Sequence, residues 1–327
     1  MEKHNPFVWQ QRKFLALSIA AGSFAVGLIL FLNRTAIQEI FQPASQQTQQ
    51  KESSEASSEK AGMVLSNGGF GKTIAPLEQE AKAQLFNFPI PTRFEGKVLE
   101  EVKLSGKEKA IALTFDDGPE PPYTQQVLEI LKKNNIKATF FVIGQNLKAY
   151  PQLGQKIVAD GHALANHTWS HTYRHFSPSG AANEIEKTTA LIYKTTGVKT
   201  SIFRPPGGYL NNGPAGYAKQ HKYFIAMWSA DSSDWKRPSV ATLVNNVVRQ
   251  AQPGGMALMH DGGGYRSHTV QALPKIIAQL KKRGYKFVTV PELLEMADKE
   301  LKLKEAAKSS SSAGVNHQTP SKPPKKK

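Results

Sequence analysis

Short apolar runs alternate with longer amphipathic stretches through the middle of the chain, between residues 108 and 297. The runs are rich in Val, Ile, Phe and Met and have the length of buried strands. They span residues 110–115, 138–144, 162–167, 201–206, 223–229, 256–261 and 286–290. The stretches between them predict helices at 124–133, 152–159, 181–196, 240–250 and 270–282. This alternation indicates parallel strands joined by crossover helices, in a barrel or in an open doubly wound sheet.

Polar residues follow the predicted strands at one end. The residues at or just beyond the C-terminal end of a run include Asp116, His167, Arg204, Asp231 and His260. In a barrel, the C-terminal ends of parallel strands meet at one mouth, where the active site lies. The pattern therefore favours an α/β barrel of about seven parallel strands, with a site at its mouth.

Residues 14–32 form a different apolar segment, which contains no charged side chain. As a helix it would be about 28 Å long, close to the ~30 Å hydrocarbon core of a bilayer. Arg12 and Lys13 precede it, so the positive-inside tendency places residues 1–13 in the cytoplasm. We predict an uncleaved transmembrane signal anchor of a single-pass cell membrane protein, with the rest of the chain extracytoplasmic. The alternative is a cleaved signal peptide and a secreted protein.

The other flanking segments differ in composition from the alternating region. Residues 33–75 contain a stretch of Gln, Ser and Glu with almost no large apolar residue, which predicts a flexible linker. Residues 76–107 have some apolar content and are predicted to pack on the domain as an N-terminal strap. Residues 298–327 are predicted to form a basic Ser/Lys-rich tail.

The net charge of +16 limits the partners of the chain. It favours a membrane surface or acidic cell-wall polymers. Nucleic acid is not expected as a partner, because no helix-turn-helix, zinc-finger or RNA-binding pattern is present. The chain has no cysteine, which excludes disulfides, thiolate metal sites and cysteine nucleophiles. His, Asp and Glu are therefore the expected ligands of any metal ion.

Two motifs carry candidate metal chemistry. Asp116 and Asp117 are adjacent carboxylates before a Gly-Pro turn, and they would repel each other unless a cation or a proton separated their roles. His167 and His171 are four residues apart, so their rings share one side if the segment turns helically. Alone, each motif is also typical of a solvated turn or a surface pair. Together, two imidazoles and one carboxylate make a three-ligand site with an open position for water.

Three later elements add polar residues in a fixed order. They are R-P-P-G-G at 204–208, D-S-S-D-W at 231–235 and L-M-H at 258–260. With T-F-D-D-G at 114–118 and H-T-W-S-H at 167–171, they resemble the five motifs of the polysaccharide deacetylase family. This family is also called the NodB-homology domain or carbohydrate esterase family 4. The resemblance covers about residues 109–294, and its first two motifs are the specific ones.

The resemblance implies a distorted (β/α) barrel and a metal-dependent catalytic domain at residues 108–297. Asp117, His167 and His171 match the metal ligands of the family. Zinc is the usual ion, with Co²⁺, Mn²⁺ or Ni²⁺ as alternatives.

The resemblance also implies roles for the remaining motif residues. Asp116 matches the general base, and Arg204 matches the residue that pairs with this base and orients it. His260 matches the general acid, and Asp234 the carboxylate that holds it. Apolar walls around the acetyl methyl group are matched by Trp235 and Leu258.

Gly207 departs from the family pattern. The family usually has an aromatic residue after the two prolines, and the backbone N–H of that residue helps to hold the oxyanion. Gly207 keeps the N–H and lacks the side-chain wall, which predicts a wider sugar-binding cleft.

The expected function is hydrolysis of the N-acetyl group of N-acetylglucosamine in a cell-envelope polysaccharide, with peptidoglycan favoured and acetate released. The N-terminal helix and the basic charge, which would hold the domain beside an acidic wall, favour peptidoglycan over chitin. The alternatives are deacetylation of chitin oligomers, of N-acetylmuramic acid or of another envelope glycan. A non-catalytic wall-binding protein on the same fold is the alternative from a different class.

Overall fold

A computed structural model describes residues 87–105 and 108–313. The predicted anchor at 14–32, the linker at 33–75, the first part of the strap and the end of the tail lie outside these residues. Within the two described ranges, no helix is both long enough and apolar enough to cross a bilayer.

The strands and helices alternate along most of the described chain. The strands are β1 (Asn87–Phe88), β2 (Val98–Leu99), β3 (Ala110–Asp116), β4 (Thr139–Val142), β5 (Ala163–Asn166), β6 (Lys199–Thr200), β7 (Ile202–Phe203), β8 (Phe224–Ala226), β9 (Ala230–Asp231), β10 (Gly255–His260) and β11 (Lys286–Val288). The helices are α1 (Tyr123–Lys133), α2 (Gly144–Ala149), α3 (Pro151–Ala159), α4 (Pro178–Thr196), α5 (Pro214–Gln220), α6 (Val240–Gln250), α7 (Ser267–Lys282) and α8 (Val290–Ala313). Short 3-10 helices lie at Thr92–Phe94, Pro206–Gly208 and Asp234–Lys236.

Nine of the strands form one curled, parallel sheet. Its order is β2-β8-β7-β5-β4-β3-β10-β9, and β11 also pairs with β3. The strand pairs within this sheet are parallel. Just after β2, Glu101 forms an antiparallel bridge to Gly255 at the start of β10, so the chain from one edge strand reaches across to the other end of the sheet.

The predicted distorted barrel is confirmed. Its seven predicted strands correspond to β3, β4, β5, β7, β8, β10 and β11, and the sheet is completed by β2 and β9. The sequence prediction did not include these two strands, each of which is two residues long.

Strand β3 shows why the central strands read as continuous apolar runs. Every residue from Ala110 to Asp116 is buried, because helices or the barrel interior cover both faces of the sheet. Ile111, Leu113 and Phe115 pack in the cluster that includes the buried faces of helices α1, α6 and α7. The alternate residues Ala110 and Ala112 belong to the cluster on the opposite face. This alternation follows from the two-residue period of a strand.

The surrounding helices bury one stripe each. In α1 the buried apolar residues are Val127, Leu128 and Leu131, at the spacing of one face of a helix. Helix α4 begins at the cap residue Ser177, whose hydroxyl accepts a hydrogen bond from the Gly180 amide. Helix α6 begins in the same way at Ser239. Such caps satisfy an amide that the first turn leaves free.

The last helix runs across the predicted border between catalytic domain and tail at residue 298. The first turns of α8 bury Val290, Leu293 and Ala297 in the cluster that contains Ala110 and Ala112. Asp298 then accepts a 2.5 Å hydrogen bond from Arg93 in the strap region. The helix continues to Ala313.

Candidate active site

The site lies where parallel strands end. His260 and Asp116 are register partners at the ends of β10 and β3. His167 follows β5, and its amide donates to the carbonyl of Val142 at the end of β4. The amide of Arg204, after β7, donates to the carbonyl of Asn166. The ladder hydrogen bonds of five neighbouring strands therefore bring these side chains to one mouth.

A cleft of about 720 Å³ opens at this mouth. The predicted site residues that line it are Asp116, Asp117, His167, His171, Gly207, Trp235, Leu258 and His260. Asp231 lines it as well, and its carboxylate accepts a 2.6 Å hydrogen bond from the Ser233 amide. Arg204 and Asp234 are buried behind the lining. The structure thus brings all ten predicted site residues together.

Asp117, His167 and His171 could hold a metal ion. Oδ1 of Asp117 lies 3.4 Å from Nε2 of His167 and 3.0 Å from Nε2 of His171. Ligand atoms of a tetrahedral zinc ion are roughly 3.3–3.5 Å apart, so the spacing fits. Oδ1 of Asp117 is buried and has no hydrogen-bond donor within the described residues. A buried oxygen without a partner is costly, and a cation at this point would satisfy it.

A hydrogen bond orients the ring of His167, and the surroundings of Asp117 favour its ionised form. Nδ1 of His167 lies 2.7 Å from the carbonyl oxygen of Arg204. An N–H donated there places the other ring nitrogen, without a proton, toward Asp117. Burial alone raises the pKa of the Asp117 carboxyl, but hydrogen bonds from His167 and His171, when these imidazoles carry a proton, and the charge of His260 lower it well below its usual range. The carboxylate is therefore ionised, as a ligand must be.

The loop that carries the two histidines is not helical, contrary to the helical turn expected from their spacing. Thr168 and His171 both adopt a positive φ, 68° and 53°, which is rare for residues with a side chain. The amide of Thr168 donates to Oδ1 of Asn166, and the amide of His171 donates to Oγ1 of Thr168. These side-chain hydrogen bonds replace a helical turn and bring the imidazoles to 5.0 Å between centroids.

Asp117 also has a left-handed backbone, with φ of 72°. Its carboxylate faces Gly263, where an added Cβ would lie 2.5 Å from Oδ2 of Asp117. Gly263 itself has φ of 72°, a conformation that glycine adopts without strain. A glycine is therefore required for this close approach to the carboxylate.

Asp116 is held by a buried cation. Nη1 of Arg204 donates to Oδ1 of Asp116 at 2.8 Å and to Oγ1 of Thr114 at 2.8 Å. The other oxygen of Asp116, Oδ2, lies 3.8 Å from Nε2 of His167. One oxygen of the carboxylate is thus fixed by Arg204, while the other faces the metal ligands. This is the geometry that a base beside a metal site requires.

His260 has a carboxylate of its own. Nδ1 of His260 lies 2.5 Å from Oδ1 of Asp234, whose Oδ2 accepts from the His260 amide and from the hydroxyl of Thr269. Burial alone lowers the pKa of His260, but the charge and hydrogen bond of Asp234, with Asp117 and Asp116, raise it to about 9. The imidazole is therefore protonated at neutral pH and able to donate a proton.

Two apolar side chains lie near this histidine. Leu258 precedes His260 by two residues on β10, so both point to the same face of the strand. Leu258 is buried in the cleft wall, whereas Trp235 is 56% exposed at the rim. Gly207 lies in the short 3-10 helix after Arg204, with φ of 58°.

The sequence prediction missed several side chains that support the site. Glu184, on α4, accepts hydrogen bonds from the amides of Trp169 and Ser170 and from the hydroxyl of Ser170. Arg266 is buried and lies 4.0 Å from Oδ2 of Asp117. Glu184 is a carboxylate within an amphipathic helix, and no pattern distinguishes it from a solvated one.

Asp261 was also missed, although it directly follows His260. Its Oδ2 accepts a 2.6 Å hydrogen bond from Thr124 on α1. Burial, together with the charges of Asp117 and Asp116, raises the pKa of Asp261 to about 7. The signal available in the sequence was its place at the end of a predicted strand.

Tyr173 and Tyr209 form part of the cleft lining and were not predicted. Their rings are 5.6 Å apart between centroids, and Tyr173 lies 5.2 Å from His171. These rings lie on the same side of the cleft as Gly207.

Comparisons with known proteins agree with this geometry. The family model described as polysaccharide deacetylase matches residues 103–226. A peptidoglycan-N-acetylglucosamine deacetylase of Bacillus cereus is 44% identical over 195 residues, which cover 59% of this chain and 91% of that protein. A crystal structure of a peptidoglycan N-acetylglucosamine deacetylase is 34% identical with a TM-score of 0.57, and the match covers 62% of this chain and 94% of that one.

Another similar structure is described as a pseudoenzyme. It is a pseudoenzyme of carbohydrate esterase family 4 from Bacillus anthracis, 33% identical with a TM-score of 0.53. The match covers 57% of this chain and 66% of that one. The fold is thus shared by active and inactive relatives. On the identity to the Bacillus cereus protein and the coverage of its length, this chain belongs to the polysaccharide deacetylase family.

Proposed function

We propose that the chain is a zinc-dependent deacetylase that hydrolyses the N-acetyl group of N-acetylglucosamine in peptidoglycan and releases acetate. One observation carries the proposal. Two proton-transfer groups end neighbouring strands, and each is held by its own buried partner, Asp116 by Arg204 and His260 by Asp234. Amide hydrolysis needs one group that accepts a proton and another that donates one.

Asp117, His167 and His171 would hold the metal ion. Two imidazoles and one carboxylate suit zinc, with Co²⁺, Mn²⁺ and Ni²⁺ as alternatives. When bound, a divalent ion at such a site polarises the amide carbonyl and lowers the pKa of water.

The protein groups divide the proton transfers between them. Asp116 accepts the proton of the attacking water, and the hydrogen bond from Arg204 keeps its oxygen aimed at the metal ligands. The C–N bond of the tetrahedral species then breaks, and the amine nitrogen needs a proton to leave. His260, protonated through its contact with Asp234, supplies that proton. Acetate and a free amine on the sugar are the products.

The cleft lining orients the acetyl group. Leu258 and Trp235 offer apolar surface for the methyl group. The backbone N–H of Gly207 would donate to the oxyanion; removal of one such donor typically costs about 10²–10³ in rate.

Peptidoglycan is proposed as the polymer for two reasons. Two relatives from Bacillus cereus, 44% and 38% identical, are named as peptidoglycan deacetylases. The net charge of +16 favours an acidic wall.

We further propose that residues 14–32 anchor the chain in the cell membrane, with the catalytic domain outside the cytoplasm. A reporter fused after Lys60 should then be exported and remain with membranes, whereas a soluble full-length product trimmed near residues 36–44 would indicate a signal peptide.

The test of the activity is mass analysis of glycans. The full chain, loaded with Zn²⁺, is incubated with peptidoglycan, and the muramidase fragments are compared with those from the Asp116→Asn variant. We expect loss of acetyl from N-acetylglucosamine with the wild type alone. Chitin oligomers are incubated in parallel. Loss of acetyl from N-acetylmuramic acid, or from chitin oligomers only, would identify that glycan as the substrate instead. No loss from any of the three would contradict the proposed activity and favour a non-catalytic wall-binding protein.

A further inference from the structure

Two tyrosine rings lie exposed at the rim of the cleft. Tyr173 is 54% and Tyr209 53% exposed, and both line the cleft. Single exposed aromatic residues are common on protein surfaces. Two rings that converge beside a concave site are different, because such apolar surface is typically covered by a ligand.

Gly207 makes room for these rings. An added Cβ at Gly207 would lie 3.0 Å from both Tyr173 and Tyr209. At Gly208 it would lie 3.0 Å from the ring of Trp228. Both glycines have a positive φ, 58° and 73°. The place of the missing family side chain is therefore not empty space, since the two tyrosines approach Gly207 closely. The wider cleft expected from the sequence is narrowed by this pair.

The position of the pair relates it to the site of hydrolysis. The Tyr173 ring contacts His171 edge-on, with centroids 5.2 Å apart. Tyr209 lies on the far side of Tyr173 and shows no ring contact with His171. The rings therefore extend outward from the metal ligands along the rim, where the neighbour of a sugar bound at those ligands would lie.

The chemistry of the two tyrosines favours an uncharged sugar ring as their ligand. The nearest cation along the chain, Arg174, lies over Phe176, with its guanidinium carbon 4.7 Å from that centroid. An uncharged aromatic face with hydroxyls at its edge complements a pyranose, which has C–H groups on its faces and hydroxyls around its edge.

We propose that Tyr173 and Tyr209 form a subsite that stacks on a neutral pyranose ring of the glycan, adjacent to the sugar that loses its acetyl group. This proposal rests on the proposed function, because the position of the subsite is defined relative to the sugar that is deacetylated. It makes no use of the peptide stems of peptidoglycan.

The experiment measures binding of N-acetylglucosamine sugars to the full chain. Calorimetric titration uses the tetrasaccharide and the monosaccharide, in the Asp116→Asn background so that no sugar is consumed. Tyr173→Ala and Tyr209→Ala are compared with Tyr193→Ala, a matched control that is also 54% exposed but lies on α4, outside the cleft lining. Because Tyr173 touches a metal ligand, Tyr209→Ala is the decisive variant, and zinc content is measured for each.

We expect each cleft variant to weaken binding of the tetrasaccharide about three- to tenfold, the range for one aromatic stacking contact. Binding of the monosaccharide and the affinity of Tyr193→Ala should not change. Equal affinity of Tyr209→Ala and its parent for the tetrasaccharide would overturn the proposal, as would no binding of this sugar to the parent. A loss seen with peptide-bearing fragments but not with the tetrasaccharide would also overturn it, because the rings would then bind peptide.

A parallel assay of acetate release, in the wild-type background, separates this proposal from the proposed function. Tyrosine-dependent binding without acetate release by the wild type would support the subsite and contradict the deacetylase activity. Acetate release from the tetrasaccharide with an unchanged KM in Tyr209→Ala would support the activity and contradict the subsite.

Discussion

The guanidinium of Arg204 lies 2.8 Å from the carboxylate of Asp116, and neither side chain is accessible to more than 4%. Arg204 also donates to the carbonyls of Ala226 and Met227, and its guanidinium carbon lies 4.0 Å from the ring centroid of Phe141. One buried cation therefore ties the end of β3 to the end of β8. Removal of one partner of such a pair leaves a buried charge uncompensated.

Separate substitutions of the two adjacent acids test whether Asp116 is the base and Asp117 the metal ligand. Asp116→Asn keeps an oxygen that accepts from Arg204 and does not alter the proposed ligands, so we expect zinc to stay bound. Turnover should fall by about 10²–10⁴, the usual contribution of a general base. Asp117→Asn should lose zinc as well as activity. Metal analysis and acetate release measure both, and zinc loss from Asp116→Asn alone would show that the acids are assigned in reverse.

Glu184 is expected to control metal affinity without touching the metal. It is 8% exposed and accepts three hydrogen bonds from Trp169 and Ser170, between the two histidines. Glu184→Gln replaces one acceptor oxygen by a donor, so the loop should loosen and zinc affinity should fall about 10–100-fold. Glu186→Gln on the same helix is the control, because Glu186 bonds only to the half-buried Tyr217 in the described structure, away from the histidine loop. Equal zinc affinity in both variants would contradict this role.

The pH dependence of turnover should depend on Asp234. Its charge helps to raise the pKa of His260 to about 9 against burial, which lowers it. A general acid acts while protonated, so activity should persist up to this pKa and decline above it. Asp234→Asn removes the charge, and the alkaline limb of the profile of kcat/KM should move to lower pH. A profile with an unmoved limb would show that another group supplies the proton.

Gly207→Ala should destabilise the fold. The residue has a positive φ and its new Cβ would lie 3.0 Å from two tyrosine rings, so we expect a loss of about 1–2 kcal/mol in the free energy of unfolding. Gly216→Ala on α5 is the matched control, because nothing lies within 4 Å of an added Cβ there. Alanine in a helix should instead stabilise slightly. Urea unfolding of both variants measures the difference, and equal stability would contradict the strained position.

His162 should make the protein sensitive to acid. It is buried, and Nδ1 accepts a hydrogen bond from the Ala138 amide. Burial, with Lys137 and Lys156, lowers its pKa from 6.5 to about 4. The unfolded chain therefore binds a proton before the native one does, and stability is lost as pH falls from 6.5 toward 4, by up to about 3 kcal/mol. In His162→Gln the free energy of unfolding should depend less on pH between 6.5 and 4, as measured by urea unfolding at several pH values. An unchanged pH dependence would show that another group causes the sensitivity to acid.

The sequence by itself determined the barrel and the residue types of its mouth. Strand β3 and its neighbours are buried on both faces, and that burial requires the apolar runs that made them visible. The chemistry of metal binding admits few residue types, so the two histidines His167 and His171 and the adjacent acids stood out in a chain without cysteine. The resemblance to the family then implied that Asp117 is the acid that binds the metal. Since parallel strands end together, their C-terminal residues were expected to meet.

Only the tertiary structure decided how these side chains are held. The left-handed backbones of Asp117, Thr168 and His171 carry no signal in the sequence, because they are imposed by hydrogen bonds and packing from elsewhere. Glu184 comes from a helix that follows the loop it holds, and its role depends on where that helix packs. Gly207 illustrates the same limit. The sequence showed a missing side chain, and only the packed structure shows that tyrosines from two separate loops come into contact beside it.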